Sequence, residues 1–317
     1  MILTYTVTEK DWDRTVYSIM RRELLVSAAL TRRLKVAKAI TVSGVPVFTD
    51  YKLTPGEEVM LDIAAVEPPC DNIPEHGEIE ILFENEGLIA VNKPTGIIVH
   101  PSRSKNTGTL ANYVAGYLEA QGDGGACHAV NRLDRDTSGV VLFAKNSHMK
   151  SLASAALADG TAIKEYLALV YGNMPESGII DVPIKRLEER NMLRVPSQDG
   201  QKAVTHYETI NTTQVGEEYV SLVKMRLETG RTHQIRVHCL HIGHPVLGDR
   251  LYSTEESRSL SEKLNVTTQA LHAQKLIFKN PLTIHNIEIV AQTNPKTFPC
   301  ILHQDMLPYI SASPVPS

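Results

Sequence analysis

The sequence predicts an α+β protein, with a mixed, largely antiparallel sheet around a central cleft and a small α+β module in front of it. Short β-branched runs alternate with helical segments, but without the regular spacing of βαβ units. A proline-rich stretch separates a basic first part from the rest of the chain. The 317 residues are enough for one large domain and one small domain.

Residues 1–66 form the predicted small module. Between residues 14 and 38 the chain carries seven cations and a single acid, Glu23. The cations are Arg14, Arg21, Arg22, Arg32, Arg33, Lys35 and Lys38. A helical apolar stripe runs through the same stretch, formed by Leu24, Leu25, Ala28, Ala29 and Leu34. Residues 39–47 predict a strand, a turn and a second short strand. The charges fit either a solvated helical face or a pair of basic helices that lies against phosphates.

A linker is predicted over residues 67–78, the larger domain over residues 79–303, and a loose tail over residues 304–317. Strands are predicted from β-branched runs at residues 88–91, 140–144, 166–170 and 220–227. Helices are predicted at residues 147–158, with Ser147 as the N-cap, and from an N-cap at Thr232 to near Gly243.

The composition narrows the class of protein. No apolar run is long enough to cross a bilayer and no signal-peptide pattern is present, so we expect a cytoplasmic protein. The four cysteines lie far apart without a Cys-x-x-Cys pair, which argues against a disulfide scaffold or a thiolate metal site. The net charge of −4 does not indicate a nucleic-acid partner, so such a partner would need a local basic face.

A charged run occupies residues 131–139, with the sequence Asn-Arg-Leu-Asp-Arg-Asp-Thr-Ser-Gly. It comes just before the predicted strand at residues 140–144, so two carboxylates and two guanidinium groups lie at the edge of a sheet. A salt-bridged surface turn is the simplest interpretation of such a run taken alone. Two segments further along the chain favour a functional interpretation.

Each of these two segments places polar side chains on a defined face of a strand or a helix. In residues 164–170, Tyr166 alternates with Ala168 and therefore shares its inward face. In residues 230–238, a helix would place His233, Arg236 and Leu240 along one face, and a guanidinium on that helix could meet a carboxylate of the charged run. Such a pair would give an ionised, oriented carboxylate that can act as a nucleophile or as a base without a metal.

These segments resemble the RluA/RluD family of pseudouridine synthases, which convert RNA uridines into their carbon-linked isomers. The motifs that carry the resemblance are Lys93-Pro94 with Gly96 and Val99-His100-Pro101, Arg132-Leu133-Asp134 with Thr137-Ser138-Gly139, Lys164 with Tyr166, Gly230-Arg231 with His233-Gln234-Ile235-Arg236-Val237-His238, Gly243-His244-Pro245 with Leu247-Gly248-Asp249, and Leu271-His272-Ala273. The resemblance covers residues 79–295. The basic first part resembles the small ribosomal-protein-like RNA-binding module that many members carry.

The resemblance implies a role for each matched residue. Asp134 is the catalytic aspartate, Arg236 is the arginine that pairs with it, and Tyr166 packs on the target base and is a candidate aid to proton removal. Arg132 fills the gap that the flipped base leaves in the RNA. Further RNA contacts are expected from Lys93, Arg231 and His233, and from Arg32, Arg33 and Lys35 in the first module. A second set of cations either extends the RNA face or lies on a solvated hairpin: Lys185, Arg186, Arg190, Arg194 and Lys202.

The implied reaction cleaves the bond from ribose to the ring nitrogen, turns the uracil and rejoins it through a ring carbon. Nothing is oxidised or hydrolysed, so no cofactor and no metal are expected. The target base must leave its stack, and Tyr166 can then stack on it. Asp134 either adds covalently to the nucleotide or removes a ribose proton, and the sequence leaves both routes open. Asp136 is expected to support the turn or Arg135, and Asn131 replaces a histidine that many members have.

We expect RNA as the partner, with large-subunit ribosomal RNA as the substrate and transfer RNA as the alternative, and a monomeric protein. Two other classes compete with this interpretation. A metalloenzyme would use His238, His241 and His244, but Gly243 and Pro245 interrupt their helix. A non-catalytic RNA-binding protein with the same fold would not need the complete set of catalytic-site residues.

Overall fold

A computed structural model describes residues 1–68, 70–102, 105–124, 126–188, 193–283 and 285–293. The predicted tail at residues 304–317, the predicted domain end at residue 303 and Arg190 lie outside the described residues. Within the described ranges no helix has the length and apolar character needed to span a bilayer.

The N-terminal module packs two helices on a four-stranded antiparallel sheet of order β1-β4-β2-β3. Its elements are β1 (Ile2–Thr6), α1 (Val16–Arg22), α2 (Ala28–Val36), β2 (Ile40–Val42), β3 (Val45–Pro46) and β4 (Glu58–Asp62). Thr15 and Ser27 cap the two helices, because their side chains accept hydrogen bonds from backbone N–H groups of the first turn. The predicted strand, turn and strand over residues 39–47 are confirmed.

The predicted single apolar stripe is wrong at three of its five positions. Leu24 and Leu34 are buried, whereas Leu25, Ala28 and Ala29 are exposed. The chain breaks between α1 and α2, where Leu25 adopts a left-handed conformation with φ of 51°. The second helix therefore starts with a new phase, and the periodicity does not carry across the break.

The larger part of the chain is built on a ten-stranded sheet. Its further elements are β5 (Glu80–Glu84), β6 (Leu88–Lys93), α3 (Leu110–Ala120), β7 (His128–Ala129), β8 (Ser138–Ala144), α4 (Ser147–Ala158), β9 (Ile163–Tyr171), β10 (Ser177–Asp181), β11 (Ile184–Arg186), β12 (Arg194–Pro196), β13 (Val204–Val215), β14 (Glu218–Leu227), α5 (Gln234–His241), α6 (Glu255–Lys263), β15 (Leu271–Lys279) and β16 (Asn286–Val290). The strand order is β10-β13-β14-β9-β15-β8-β6-β5, with β16 beside β15 and β7 beside β8, and β11 and β12 form a separate hairpin. Only the β8–β15 pair is parallel among the described strands, so the predicted mixed, largely antiparallel α+β fold is confirmed.

Strand β8 lies at the centre of the core and all seven of its residues are buried. Val140 and Leu142 pack toward Met149 of α4, whereas Val141 and Phe143 pack toward α3. Since side chains alternate along a strand, a run that is apolar at every position is buried on both faces. The predicted buried strand is confirmed.

The predicted caps of two helices are wrong by one residue. Asn146 caps α4, because its side chain accepts a hydrogen bond from the backbone of Met149. Ser147 is the first residue of that helix. The helix α5 follows His233, which adopts a left-handed conformation with φ of 59° and caps nothing with its side chain, rather than Thr232.

The linker is bonded to the larger part of the chain through Glu67. Its Oε1 accepts from the backbone N–H of Ser147 at 2.8 Å and lies 3.1 Å from His128 Nε2, and its Oε2 accepts from Ser147 Oγ at 2.9 Å. Arg33 of α2 approaches the same serine hydroxyl at 3.4 Å. The first turn of α4 is therefore a meeting point for the linker and the N-terminal module.

Candidate active site

The loop that carries Asp134 leads from β7 into β8 and is held at its C-terminal end. Thr137 accepts a hydrogen bond from Gln269 Nε2, and Ser138 Oγ lies 2.8 Å from His272 Nδ1. Gly139 has φ of 109°, and a Cβ on it would stand 2.2 Å from the carbonyl oxygen of Ala273. Only glycine allows β8 to approach β15 this closely beside the loop.

Asn131 holds the loop at its other end. Its Nδ2 donates to the carbonyl of Val140 at 3.1 Å, and its Oδ1 accepts from the N–H of Leu142 at 2.7 Å. The side chain thus continues the ladder between β7 and β8 beyond the last paired residues of β7. Asn131, which the sequence left unexplained, therefore binds the backbone of β8, and this structural role does not depend on RNA.

Lys93 lies under the loop and has no exposed surface. Its Nζ donates to the carbonyl oxygens of Pro94, Ile97 and Arg135, at 2.9, 2.8 and 2.7 Å. Burial lowers the pKa of Lys93 to about 7, although the nearby charges of Asp136 and Asp134 oppose this change. A buried ammonium cannot contact a phosphate, so the predicted RNA contact is wrong, and Lys93 instead ties the β6 turn to the Asp134 loop.

Arg236 joins Asp134 to a second carboxylate. Its Nη1 donates to Asp134 Oδ2 at 2.8 Å, while its Nε and Nη2 donate to Asp249 at 2.6 and 2.9 Å. Burial alone would lower the pKa of Arg236, but the hydrogen bonds and charges of Asp249, and then of Asp134, raise it above the ordinary value. The predicted pairing of Arg236 with Asp134 is confirmed, whereas the buried Asp249 was not among the predicted site residues.

The two oxygens of the Asp134 carboxylate have different surroundings. Oδ2 accepts from Arg236 and lies 3.8 Å from His233 Nε2. Among the described residues Oδ1 has no hydrogen-bond partner, and 27% of the side chain is exposed. Asp134 therefore presents one anchored oxygen and one oxygen that is free to react. The neighbouring Asp136 forms a bidentate pair with Arg135, at 3.0 Å for both bonds, as expected for a supporting residue.

His233 lies in the wall of the site next to Arg236 and is bonded to the buried Tyr252. Tyr252 Oη lies 2.8 Å from His233 Nδ1, and the two rings meet edge to face with centroids 5.5 Å apart. The Arg236 guanidinium carbon lies 4.9 Å from the centroid of the Tyr252 ring, which is a cation–π distance. Burial lowers the pKa of His233 and opposes the attraction of the Asp134 charge, so a neutral imidazole faces the site.

Tyr166 lies on β9 and packs with the apolar cluster that contains Ala168 and Val170, which confirms its predicted inward face. Burial, with a smaller contribution from the Asp134 charge, raises the pKa of Tyr166 to about 12. Its phenol is therefore protonated near pH 7, and it is suited to stacking on a base rather than to proton removal. A recess of about 70 Å³ beside Tyr166 and Asp134 is lined partly by apolar side chains and partly by polar ones. The apolar ones are Leu133, Leu227, Ile235 and Leu271, and the polar ones include Arg231, His233 and Arg236.

The site opens into a groove of about 1120 Å³ with strongly positive walls. Two carboxylates, Asp134 and Asp136, face nine cationic side chains along it. The cations are Arg132, Arg135, Lys164, Arg186, Arg194, Arg231, Arg236, Arg250 and Lys275. The structure thus brings together the predicted Asp134, Tyr166, Arg236, Arg132, Arg231 and His233, whereas Arg32, Arg33 and Lys35 lie on α2 of the N-terminal module.

Two of the three histidines of the rival metal site, His238 and His244, are engaged in other contacts, and His241 is exposed. His238 is bonded to Thr205 Oγ1 and to the carbonyl of Val182, both at 2.9 Å, and His244 Nδ1 lies 2.9 Å from the carbonyl of Tyr171. Within the described ranges no three side chains of the metal-binding types are grouped so as to hold an ion.

Both the sequence and the fold of the chain are similar to those of known proteins. A family model described as RNA pseudouridylate synthase matches residues 87–241. The uncharacterized RNA pseudouridine synthase YhcT of Bacillus subtilis is 36% identical over 282 residues, which cover 89% of this chain and 90% of that protein. The chain belongs to the RluA/RluD family of pseudouridine synthases. Ribosomal large subunit pseudouridine synthase D of Zymomonas mobilis is 37% identical over 232 residues, which cover 71% of this chain and 72% of that protein.

Solved structures show that the fold is shared. Human RNA pseudouridylate synthase domain containing 1 superposes with a TM-score of 0.58 at 24% identity, over 77% of this chain and all of that chain. As a pseudouridine synthase, the chain is an isomerase that acts on RNA. The family model ends at residue 241, so the Asp249 and Tyr252 side chains that brace Arg236 and His233 lie beyond it.

Proposed function

We propose that this pseudouridine synthase converts uridine to pseudouridine in large-subunit ribosomal RNA, with Asp134 as the catalytic residue. The observation that carries the proposal is the Asp134 carboxylate, with Oδ2 held by Arg236 at 2.8 Å and Oδ1 open to the basic groove. The relative from Zymomonas mobilis, named as a large-subunit enzyme, supports the choice of RNA. Transfer RNA is the alternative substrate.

The proposed reaction begins with a uridine that leaves its stack and enters the recess beside Tyr166. The phenol ring stacks on the uracil, and Arg132, which is exposed at the groove, fills the vacated place in the RNA. Asp134 then either adds to the nucleotide through Oδ1 or removes a ribose proton. The bond between ribose C1′ and N1 breaks, the uracil turns beside Tyr166 and is rejoined to C1′ through C5. The proton at C5 is then released and N1 takes up a proton.

Arg236 supports both routes. Its bidentate pair with Asp249 neutralises much of its charge and fixes its plane. The remaining Nη1–H orients Asp134 without a proton transfer, since a guanidinium does not lose its proton in this pH range. Asp134 therefore keeps a fixed orientation and one reactive oxygen.

The N-terminal module is proposed to bind RNA flanking the target. Arg32 and Lys35 are exposed on α2, whereas Arg33 is partly covered and reaches Ser147. Charge contacts of this kind depend on salt, with a slope of about 0.7–0.9 per phosphate contact. Replacing Arg32 and Lys35 by Gln should lower that slope, while Lys10→Gln, which lies outside α1 and α2, serves as the control. An unchanged slope would remove the module from the RNA interface.

The proposed target is tested with purified full-length protein and three RNAs: large-subunit ribosomal RNA, small-subunit ribosomal RNA and transfer RNA. Forming the carbon-linked product releases the hydrogen at C5 of uracil, so tritium release from [5-³H]uridine measures the reaction and sequencing maps the site. We expect release from large-subunit RNA alone, and none with Asp134→Asn. Modification of transfer RNA only would reject the proposed substrate, and equal release by Asp134→Asn would reject the proposed catalyst.

The proposal also includes the division at residues 66 and 79, a monomer and a cytoplasmic location. Among the described residues, no strand or helix lies between the short 3-10 helix Ala64–Val66 and β5, which supports the division. Sedimentation of the purified protein tests the monomer.

A further inference from the structure

Tyr252 is a buried residue that contacts three parts of the site. It is 4% exposed, and its backbone N–H donates to Asp249 Oδ1 at 3.1 Å. Its ring lies against the Arg236 guanidinium, and its hydroxyl reaches His233. Tyr252 is thus held by the same carboxylate that holds Arg236.

The hydroxyl of Tyr252 has two partners and a single proton. The backbone N–H of Arg194 donates to Oη at 2.8 Å, so this contact uses an acceptor position. His233 Nδ1 lies 2.8 Å away, and among the described residues Oη has no third partner. If Nδ1 also donated to Oη, the hydroxyl proton would be left without an acceptor in a buried place, at a cost of about 1–3 kcal/mol. The hydroxyl therefore donates to Nδ1.

This assignment fixes the tautomer of His233. An imidazole that accepts at Nδ1 carries its proton at Nε2 when it is neutral. Nε2 lies 3.8 Å from Asp134 Oδ2, at the edge of the groove. A neutral N–H donor thus stands beside the anchored oxygen of the catalytic carboxylate.

We propose that Tyr252 is a positioning residue for the isomerisation, whose hydroxyl holds His233 with Nε2–H toward Asp134 and the bound nucleotide. The proposal rests on the proposed function, because it assigns His233 a role in that reaction. Tyr252 does not touch the reacting atoms and acts through His233.

The same hydroxyl connects His233 to the β11–β12 hairpin. Arg194, whose backbone is bonded to Tyr252, pairs in register with Arg186 across the hairpin, and both side chains line the groove. The hairpin is thus connected to Asp134 through three successive contacts: from Arg194 to Tyr252, from Tyr252 to His233, and from His233 to Asp134.

The tautomer is tested directly by ¹⁵N NMR of histidine-labelled full-length protein, with the His233 signals assigned by their loss in His233→Gln. We expect an acceptor Nδ1 and a protonated Nε2 in the unmodified protein, and a mixture of tautomers in Tyr252→Phe. A protonated Nδ1 in the unmodified protein would overturn the proposal. This measurement needs no activity, so it stands apart from the test of the proposed function.

The role in the reaction is tested by a double-mutant cycle. Tyr252→Phe keeps the ring and should lower kcat by about 10–100-fold, the range seen for partners that orient a functional histidine, with KM changed less than about threefold. In Tyr252→Phe combined with His233→Gln the loss should equal that of His233→Gln alone. Independent, multiplying losses would show that Tyr252 does not act through His233. The matched control is Tyr117→Phe on α3, which removes a hydroxyl bonded to Glu84 of β5 and should keep full activity.

Discussion

Asp249 holds Arg236 through both of its oxygens, along the Nε–Nη2 edge of the guanidinium, and leaves Nη1 for Asp134. The Asp249 side chain is fully buried, and its Oδ1 also accepts from the backbone of Leu251 and Tyr252, at 2.9 and 3.1 Å. One buried carboxylate thus fixes both Arg236 and the turn that follows Asp249 itself.

Asp249→Asn should destabilise the protein and reduce activity together. The amide group would place a donor against the guanidinium, and breaking a buried pair costs about 3–5 kcal/mol. Urea unfolding should show this loss, and tritium release should fall because Arg236 no longer orients Asp134. Glu217→Gln, at an exposed turn, is the control. Unfolding at the unmodified midpoint would mean that the pair adds no stability.

Asp134→Asn should abolish turnover and leave RNA affinity within about threefold, because phosphate contacts dominate that affinity. The amide keeps the shape of the side chain but is neither a nucleophile nor a base. Filter binding and tritium release measure the two effects separately. Asp136→Asn should retain activity, since that carboxylate pairs with Arg135. Parallel loss of binding and activity in Asp134→Asn would indicate a structural role.

Lys93→Met should destabilise the protein and slow the reaction, although Lys93 does not reach the groove. Three carbonyl oxygens lose their donor, and each unsatisfied group costs about 1–3 kcal/mol. The link from β6 to the Asp134 loop is lost with them. Thermal unfolding and kcat are compared with those of Lys150→Met, which removes an exposed ammonium from α4. Equal behaviour of the two variants would contradict the positioning role of Lys93.

Stability should fall as the pH drops below about 6.5, in part because of His272. Burial lowers the pKa of His272 to about 4, and its two ring nitrogens are bonded to Ser138 and to the carbonyl of Ala291. The pKa of His272 is lower in the folded state than in the unfolded state, so folding favours the neutral imidazole. The stability that this preference contributes, about 3 kcal/mol, is complete above pH 6.5 and is lost as the pH falls toward 4.

Urea unfolding between pH 7.5 and 4 checks this prediction. His272→Gln should be less stable at pH 7.5 and should show a shallower loss on acidification. The exposed His241→Gln should follow the unmodified protein. A slope unchanged by His272→Gln would show that other groups carry the pH dependence.

Much of the fold could be predicted because its signals are local. The all-apolar run of β8 indicated a strand buried on both faces, and the alternation around Tyr166 gave its inward face. Helix starts were placed within a residue or two, but the caps were misassigned. Each misassigned cap is the direct neighbour of the true one: Ser147 follows Asn146, and Thr232 precedes His233. Only the backbone geometry decides which residue of each pair takes the cap position.

The site could be predicted only as far as its motifs reach. Arg236 and Asp134 are 102 residues apart, and the motif resemblance brought them together before the structure did. Lys93 was misread because a lysine in a motif looks the same whether it faces RNA or three carbonyls. Asp249 was visible in a Gly-Asp motif, but its pairing with Arg236 was not. Tyr252 gave no local signal, since its role depends on how the turn after Asp249 folds back on α5.

The contacts of Asn131 bear on the stage at which the loop that carries Asp134 becomes ordered. The loop from Asn131 to Ser138 is fastened at both ends, by the amide that extends the β7–β8 ladder and by the Ser138–His272 contact. Lys93 fastens it in the middle, one residue after Asp134. The conformational entropy of this segment is therefore lost when the protein folds, before any substrate arrives. Asp134 is preorganised, and the binding energy of the RNA is left for extracting the base from its stack.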